Sequence, residues 1–66
     1  MQEKLIGEKI REYRLKKGMT QDALAKKVYV GPSMICMIER GTKAPSLQLG
    51  KAIADALGVS VEDLLK

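Results

Sequence analysis

Sixty-six residues, 45% of them hydrophobic but only two aromatic, allow one small domain with an aliphatic core; a chain this size buries roughly 60% of its unfolded surface and is marginally stable. One cysteine excludes an internal disulfide, and neither the opening run MQEKLIGEK nor the longest apolar run, Met34 to Ile38, suits a signal peptide or a membrane span, so a cytoplasmic protein with no membrane partner is expected. Net charge is +4, and residues 1–43 hold ten Lys/Arg against five Asp/Glu while residues 44–66 hold two against three. A phosphate-binding surface needs such a basic half, although solvated helical faces are often as basic.

Residues 2–17 predict a long helix with Ile6, Ile10, Tyr13 and Arg14 on one face, Glu3, Lys4, Glu8, Glu12 and Lys16 largely elsewhere, and Gly18 as its stop. Thr20 is the N-cap of a second helix that shows Leu24, Ala25 and Val28 on one side. Only Tyr29, Val30 and Gly31 separate it from a third. That helix starts at Gly31-Pro32, where a proline at the first helical position costs no hydrogen bond, buries Ile35 and Ile38, and stops at Gly41. Two short helices joined so tightly, over residues 20–40, form a helix-turn-helix, the unit that lays its second helix into a DNA major groove.

After the loop Thr42 to Pro45, Ser46 caps a fourth helix that runs to Leu57 with Leu49, Ile53, Ala56 and Leu57 inward, and Gly58 ends it. Gly50 lies on the inward side, marking either a close helix crossing or a soft spot. Ser60 caps a fifth helix, with Asp63 completing a variant capping box. Met19, Val30 and Val59 each precede a cap and can pack on Leu24, Ile35 and Leu64, three hydrophobic staples at three helix starts. The expectation is all-α: a compact five-helix bundle in one domain, residues 1–66 with a core of about 10–64, leaving no room for a ligand-sensing domain.

Catalysis has little to work with. Histidine is absent, the lone Cys36 has no base partner in sequence, and no cluster has metal-ligand spacing, so neither an enzyme nor a cofactor, metal or small-molecule ligand is expected. The third helix carries the chemistry instead. At about 100° per residue, pointing Ile35 and Ile38 inward turns Ser33 and Arg40 outward, with Met37 and Cys36 flanking that face and Met34 nearer the core. Pro32, Ser33, Met34 and Met37 are therefore the base-reading candidates. Only Ser33 among them offers a hydrogen bond, whereas the methionines can pack on thymine methyls; Met34 can equally be core-edge filler. Thr20 and Gln21 open the second helix, whose free N–H groups favour an anion. Arg40, Thr42 and Lys43 follow the third and can reach the other strand's phosphates.

Met19-Thr20-Gln21-Asp22-Ala23-Leu24-Ala25, Ile35, Ile38-Glu39-Arg40-Gly41, Pro45-Ser46-Leu47, Ile53-Ala54 and Ala56-Leu57-Gly58-Val59-Ser60 together resemble the Cro/cI-type helix-turn-helix domain of phage and bacterial repressors. The resemblance implies a lambda-repressor-like bundle, base reading at 32, 33, 34 and 37, a glutamine at Gln21 gripping the DNA backbone, and an ion pair between Arg14 and Glu39. It also implies a transcriptional regulator that occupies double-stranded DNA as a two-fold homodimer, on half-sites roughly 34 Å apart. Val61, Leu64 and Leu65 either form that dimer interface or pack internally. Tyr29 departs from the family's turn glycine, so the turn is expected either to be strained or to adopt another conformation, with Gly31 relieving it. The competing reading is a protein-interaction module of the same fold, its methionine-rich face binding a toxin or another regulator.

Overall fold

The computed structural model describes residues 2–65, with side chains from Leu5 onward, so the expected positions of the Glu3 and Lys4 side chains lie outside the described residues. Its elements are α1 (Gln2–Lys16), α2 (Gln21–Lys27), α3 (Pro32–Arg40), α4 (Leu47–Leu57) and α5 (Val61–Leu65), with no strand among the described residues. None of these helices is long and apolar enough to cross a membrane.

Local chemistry explains the boundaries. Thr20 Oγ1 accepts the Ala23 N–H at 3.0 Å and Ser46 Oγ accepts the Leu49 N–H at 3.1 Å. Ser60 and Asp63 exchange reciprocal bonds of 3.0 and 3.1 Å, closing the capping box. Gly18, Gly41 and Gly58 end α1, α3 and α4 at φ of 71°, 80° and 73°, conformations that a side chain resists.

The helices surround one core of Ile10, Leu24, Ala25, Val28, Ile35, Ile38, Ile53, Ala54, Leu57 and Leu64. Met19, Val30 and Val59, the staple residues, pack against it partly buried, as do Ile6, Tyr13, Leu49 and Ala56. α2 has seven residues and α5 five, too short to be stable alone, so tertiary packing holds them. Ala54 joins the core although the apolar stripe read from sequence runs through Leu49, Ile53, Ala56 and Leu57; being small, it fits on the edge of that stripe.

Two helical glycines have opposite surroundings. A Cβ on Gly7 would lie 2.2 Å from the Ile38 carbonyl oxygen and 2.8 Å from that of Glu39, so α1 rests backbone to backbone on the end of α3. Sequence reasoning passes over Gly7 because only the three-dimensional crossing gives it a purpose. Gly50 is the reverse: a Cβ there would meet nothing within 4 Å. Of the two expectations for it, the soft spot holds. It helps line a half-open, largely apolar pocket of about 130 Å³ with Ile6, Ile10, Leu47, Val61 and Leu64.

Two alternatives left open by the sequence are decided, and one expectation, relief by Gly31, is corrected. Leu64 is not available to a partner, because it is 3% exposed and belongs to the core, whereas Leu65 is 62% exposed and Val61 is half-buried. α5 packs on α1 and α4, and one turn cannot face inward and outward at the same residue. The turn before α3 takes no alternative conformation: Tyr29 sits at φ 60°, a strain of about 1 kcal/mol or more for a bulky residue. Gly31 brings no relief, since its φ of −75° and ψ of 154° are those of an ordinary N-cap.

Candidate nucleic-acid interface

The third helix begins where its sequence says it should. Pro32 occupies the first turn, Gly31 precedes it, and Ile35, Ile38 and Glu39 are buried. Pro32, Ser33 and Arg40 are exposed, Cys36 and Met37 half-buried. Met34 is half-buried and packs against the core, so its contact surface is shared between the core and the outer face. The exposed line from Pro32 and Ser33 past Met37 to Arg40 is the face that α3 presents outward.

What holds that face is a buried charge network. Arg14 Nε donates to Glu39 Oε2 at 2.6 Å and Arg14 Nη2 to Glu39 Oε1 at 3.1 Å, with the two side chains 8% and 2% exposed. This is the bidentate geometry in which Arg and carboxylate pair best. Arg14 Nη1 also donates to the Met19 carbonyl at 2.7 Å, and Gln21 Nε2 to Glu39 Oε1 at 3.1 Å. Four pieces of chain therefore meet at one carboxylate and one guanidinium: α1, the loop after it, the first turn of α2, and the last turn of α3. No buried side-chain polar atom among the described residues is left without a partner, which is the condition for a buried pair to be tolerated.

Gln21 has a second attachment that its position at the start of α2 does not advertise. Its amide donates to Glu39, eighteen residues away, so one of its two N–H bonds is committed internally and the other remains for an external acceptor. Thr20 similarly uses its oxygen as acceptor in the cap and keeps its hydroxyl proton for donation. At the far end, Thr42 Oγ1 donates to the Met37 carbonyl at 3.1 Å, satisfying one of the last-turn carbonyls of α3. Arg40 Nη1 approaches Cys36 Sγ at 3.9 Å on the exposed side, and Lys43 is exposed in the loop beyond. The Gln21–Glu39 bond thus brings the start of α2 beside the last turn of α3, next to Arg40 and ahead of Thr42 and Lys43, while Pro32 and Ser33 stand at the other tip of α3.

The helix-turn-helix family model matches residues 10–64. The chain belongs to this HTH_3 family. Within the HTH_3 family it is 48% identical over 56 residues to an HTH-type transcriptional regulator of Archaeoglobus fulgidus, covering 85% of this chain and 80% of that protein. It is 39% identical over 62 residues to SinR of Bacillus subtilis, covering 92% of this chain and 56% of SinR. Among solved structures, SinR in complex with DNA matches with a TM-score of 0.87 at 39% identity, covering 92% of this chain and 98% of that one. The P22 c2 repressor in complex with a synthetic operator matches at 0.88 with 38% identity, covering 92% of each. The fold is therefore that of the helix-turn-helix repressors.

Proposed function

We propose that this HTH_3 chain is a DNA-binding transcriptional regulator that acts as a repressor, occupying an operator in the cytoplasm with α3 in the major groove. The single observation that carries this is an exposed α3 face locked by the buried Arg14–Glu39 pair, because a helix that must meet base edges in a fixed register needs a fixed crossing angle. The DNA and operator complexes of SinR and the P22 c2 repressor support it.

In this reading Ser33 hydrogen-bonds a base edge, and Pro32, Met34 and Met37 pack on thymine methyls. Thr20, Gln21, Arg40, Thr42 and Lys43 grip the sugar-phosphate backbone flanking the groove. Two protomers act on two half-sites about 34 Å apart, joined through Leu65 and Val61 on the outer side of α5. Fluorescence anisotropy of a labelled duplex pool at several salt concentrations tests the DNA reading. With Arg40 and Lys43 from each of two protomers neutralising phosphates, the slope of log K against log salt is about −4. A slope near zero, or no binding at low salt, contradicts it.

One observation favours a second reading. The four base-reading positions, Pro32, Ser33, Met34 and Met37, hold no Arg, Asn or Gln, the side chains that discriminate bases best, so the same face could instead receive an apolar protein surface. Salt-insensitive binding to a protein, with none to DNA, is its signature.

A further inference from the structure

Tyr29 is the most exposed of the large apolar side chains among the described residues. Among the described residues it is the sole non-glycine with positive φ, at 60°, and it is 94% exposed. The turn needs a left-handed residue there, because Val30 N–H closes back on the Ala25 carbonyl at 3.0 Å and α3 starts two residues later. Glycine or asparagine meets that need without strain. A tyrosine accepts the strain while its ring buries nothing in return. The turn requires the left-handed backbone but not a tyrosine, and a bulky residue held in strain with its ring in solvent points to a use outside the fold.

Its surroundings identify that use. Lys26 and Lys27, both exposed, end α2 just before it, and the exposed Gly31, Pro32 and Ser33 follow just after it. Three residue steps lead from Tyr29 to Pro32, a reach of at most about 10 Å. The major groove is about 12 Å wide, so its phosphate walls stand only about 6 Å from the midline. With the tip of α3 seated in the groove, the turn lies beside one wall. We infer that Tyr29 is a DNA-backbone contact: its phenol O–H donates to a phosphate oxygen flanking the half-site, and its ring lies against the adjacent deoxyribose. This rests on the DNA-binding reading above and adds to it a neutral clamp that phosphate-binding lysines do not supply.

A neutral donor leaves a distinctive mark. It displaces no counterion, so its removal weakens binding without changing the salt slope, and a phosphate contact carries no base information, so specific and random duplexes lose equally. The experiment compares wild type, Tyr29→Phe, Tyr29→Gly and Lys43→Ala by anisotropy on one selected and one random duplex across a salt series, with thermal melts of each. Tyr29→Phe keeps ring and backbone, and is expected to weaken binding about five- to tenfold at unchanged slope and unchanged Tm. Tyr29→Gly is expected to weaken it at least as much while melting no lower than wild type, which excludes unfolding as the cause. Lys43→Ala, which removes one phosphate contact from each of the two protomers, is expected to make the slope shallower by about 2. Full affinity in both Tyr29 variants overturns the inference, and so does a loss confined to the selected duplex. Failure of the wild type to bind DNA in the same titration defeats the underlying DNA reading instead, a result distinguishable from either.

Discussion

Removing the Glu39 carboxylate alone exposes how much the helix-turn-helix depends on it. In Glu39→Ala the Arg14 guanidinium, 8% exposed, retains only the Met19 carbonyl as an acceptor. Breaking one partner of a buried pair costs about 3–5 kcal/mol. A chain of this length has roughly 3–10 kcal/mol in total, so the variant forfeits a third or more of its stability. At 4–8 °C per kcal/mol for a small domain, Tm falls by about 12 °C or more. Replacing both residues tells a different story. Arg14→Met with Glu39→Leu removes both charges, leaves the Met19 carbonyl and the Gln21 amide to water, and recovers most of the lost stability, because a buried ion pair exchanged for apolar volume is often neutral or better. Urea and thermal unfolding followed by far-UV circular dichroism on Arg14→Met, Glu39→Leu and the variant carrying both, set against wild type as a double-mutant cycle, measure this directly. The expected coupling is about 2–3 kcal/mol. Coupling below about 0.5 kcal/mol, the range of exposed pairs, refutes the claim that the pair locks α3.

The two helical glycines should answer the same substitution with opposite signs. Gly7→Ala drives a methyl into the Ile38 carbonyl at 2.2 Å and is expected to cost about 1–3 kcal/mol despite alanine's better helix propensity, whereas Gly50→Ala meets open space and is expected to gain up to about 1 kcal/mol; thermal melts compare them, and equal shifts of one sign would sink the packing argument. Lys43→Ala is expected to weaken binding to every duplex and Met37→Ala to change which sequence is preferred at an unchanged salt slope, read by anisotropy on paired specific and random DNA. Leu65→Asp is expected to shift a dimer toward monomer in sedimentation velocity at unchanged Tm, since this residue is exposed and Leu64 carries the packing; an unmoved sedimentation coefficient removes α5 from the interface.

Local chemistry was the legible part of this chain. Thr20, Ser46, Ser60 and the glycines at 18, 41 and 58 act on neighbours within a few residues, so each helix end is written where it occurs. The inward faces of α2 and α3 followed from the 3.6-residue period alone. Contacts set by the crossing of helices were not legible in that way. Gly7 is required by a carbonyl thirty-one positions later, Gln21 by a carboxylate eighteen positions later, and no period encodes either. α5 shows the limit within a single turn: with one apolar residue following another, spacing does not decide that Leu64 goes in and Leu65 out. The Arg14–Glu39 pair was anticipated through resemblance, because two opposite charges at helix edges twenty-five positions apart say nothing by themselves.

The central claim is that α3, held at its angle by Arg14 and Glu39, reads DNA sequence. Its most direct test is selection of bound duplexes from a random pool, followed by sequencing. The account predicts enrichment of a two-fold palindrome whose half-sites lie one helical turn, about 34 Å, apart. A recovered pool with no enriched half-site, despite salt-sensitive binding, contradicts it.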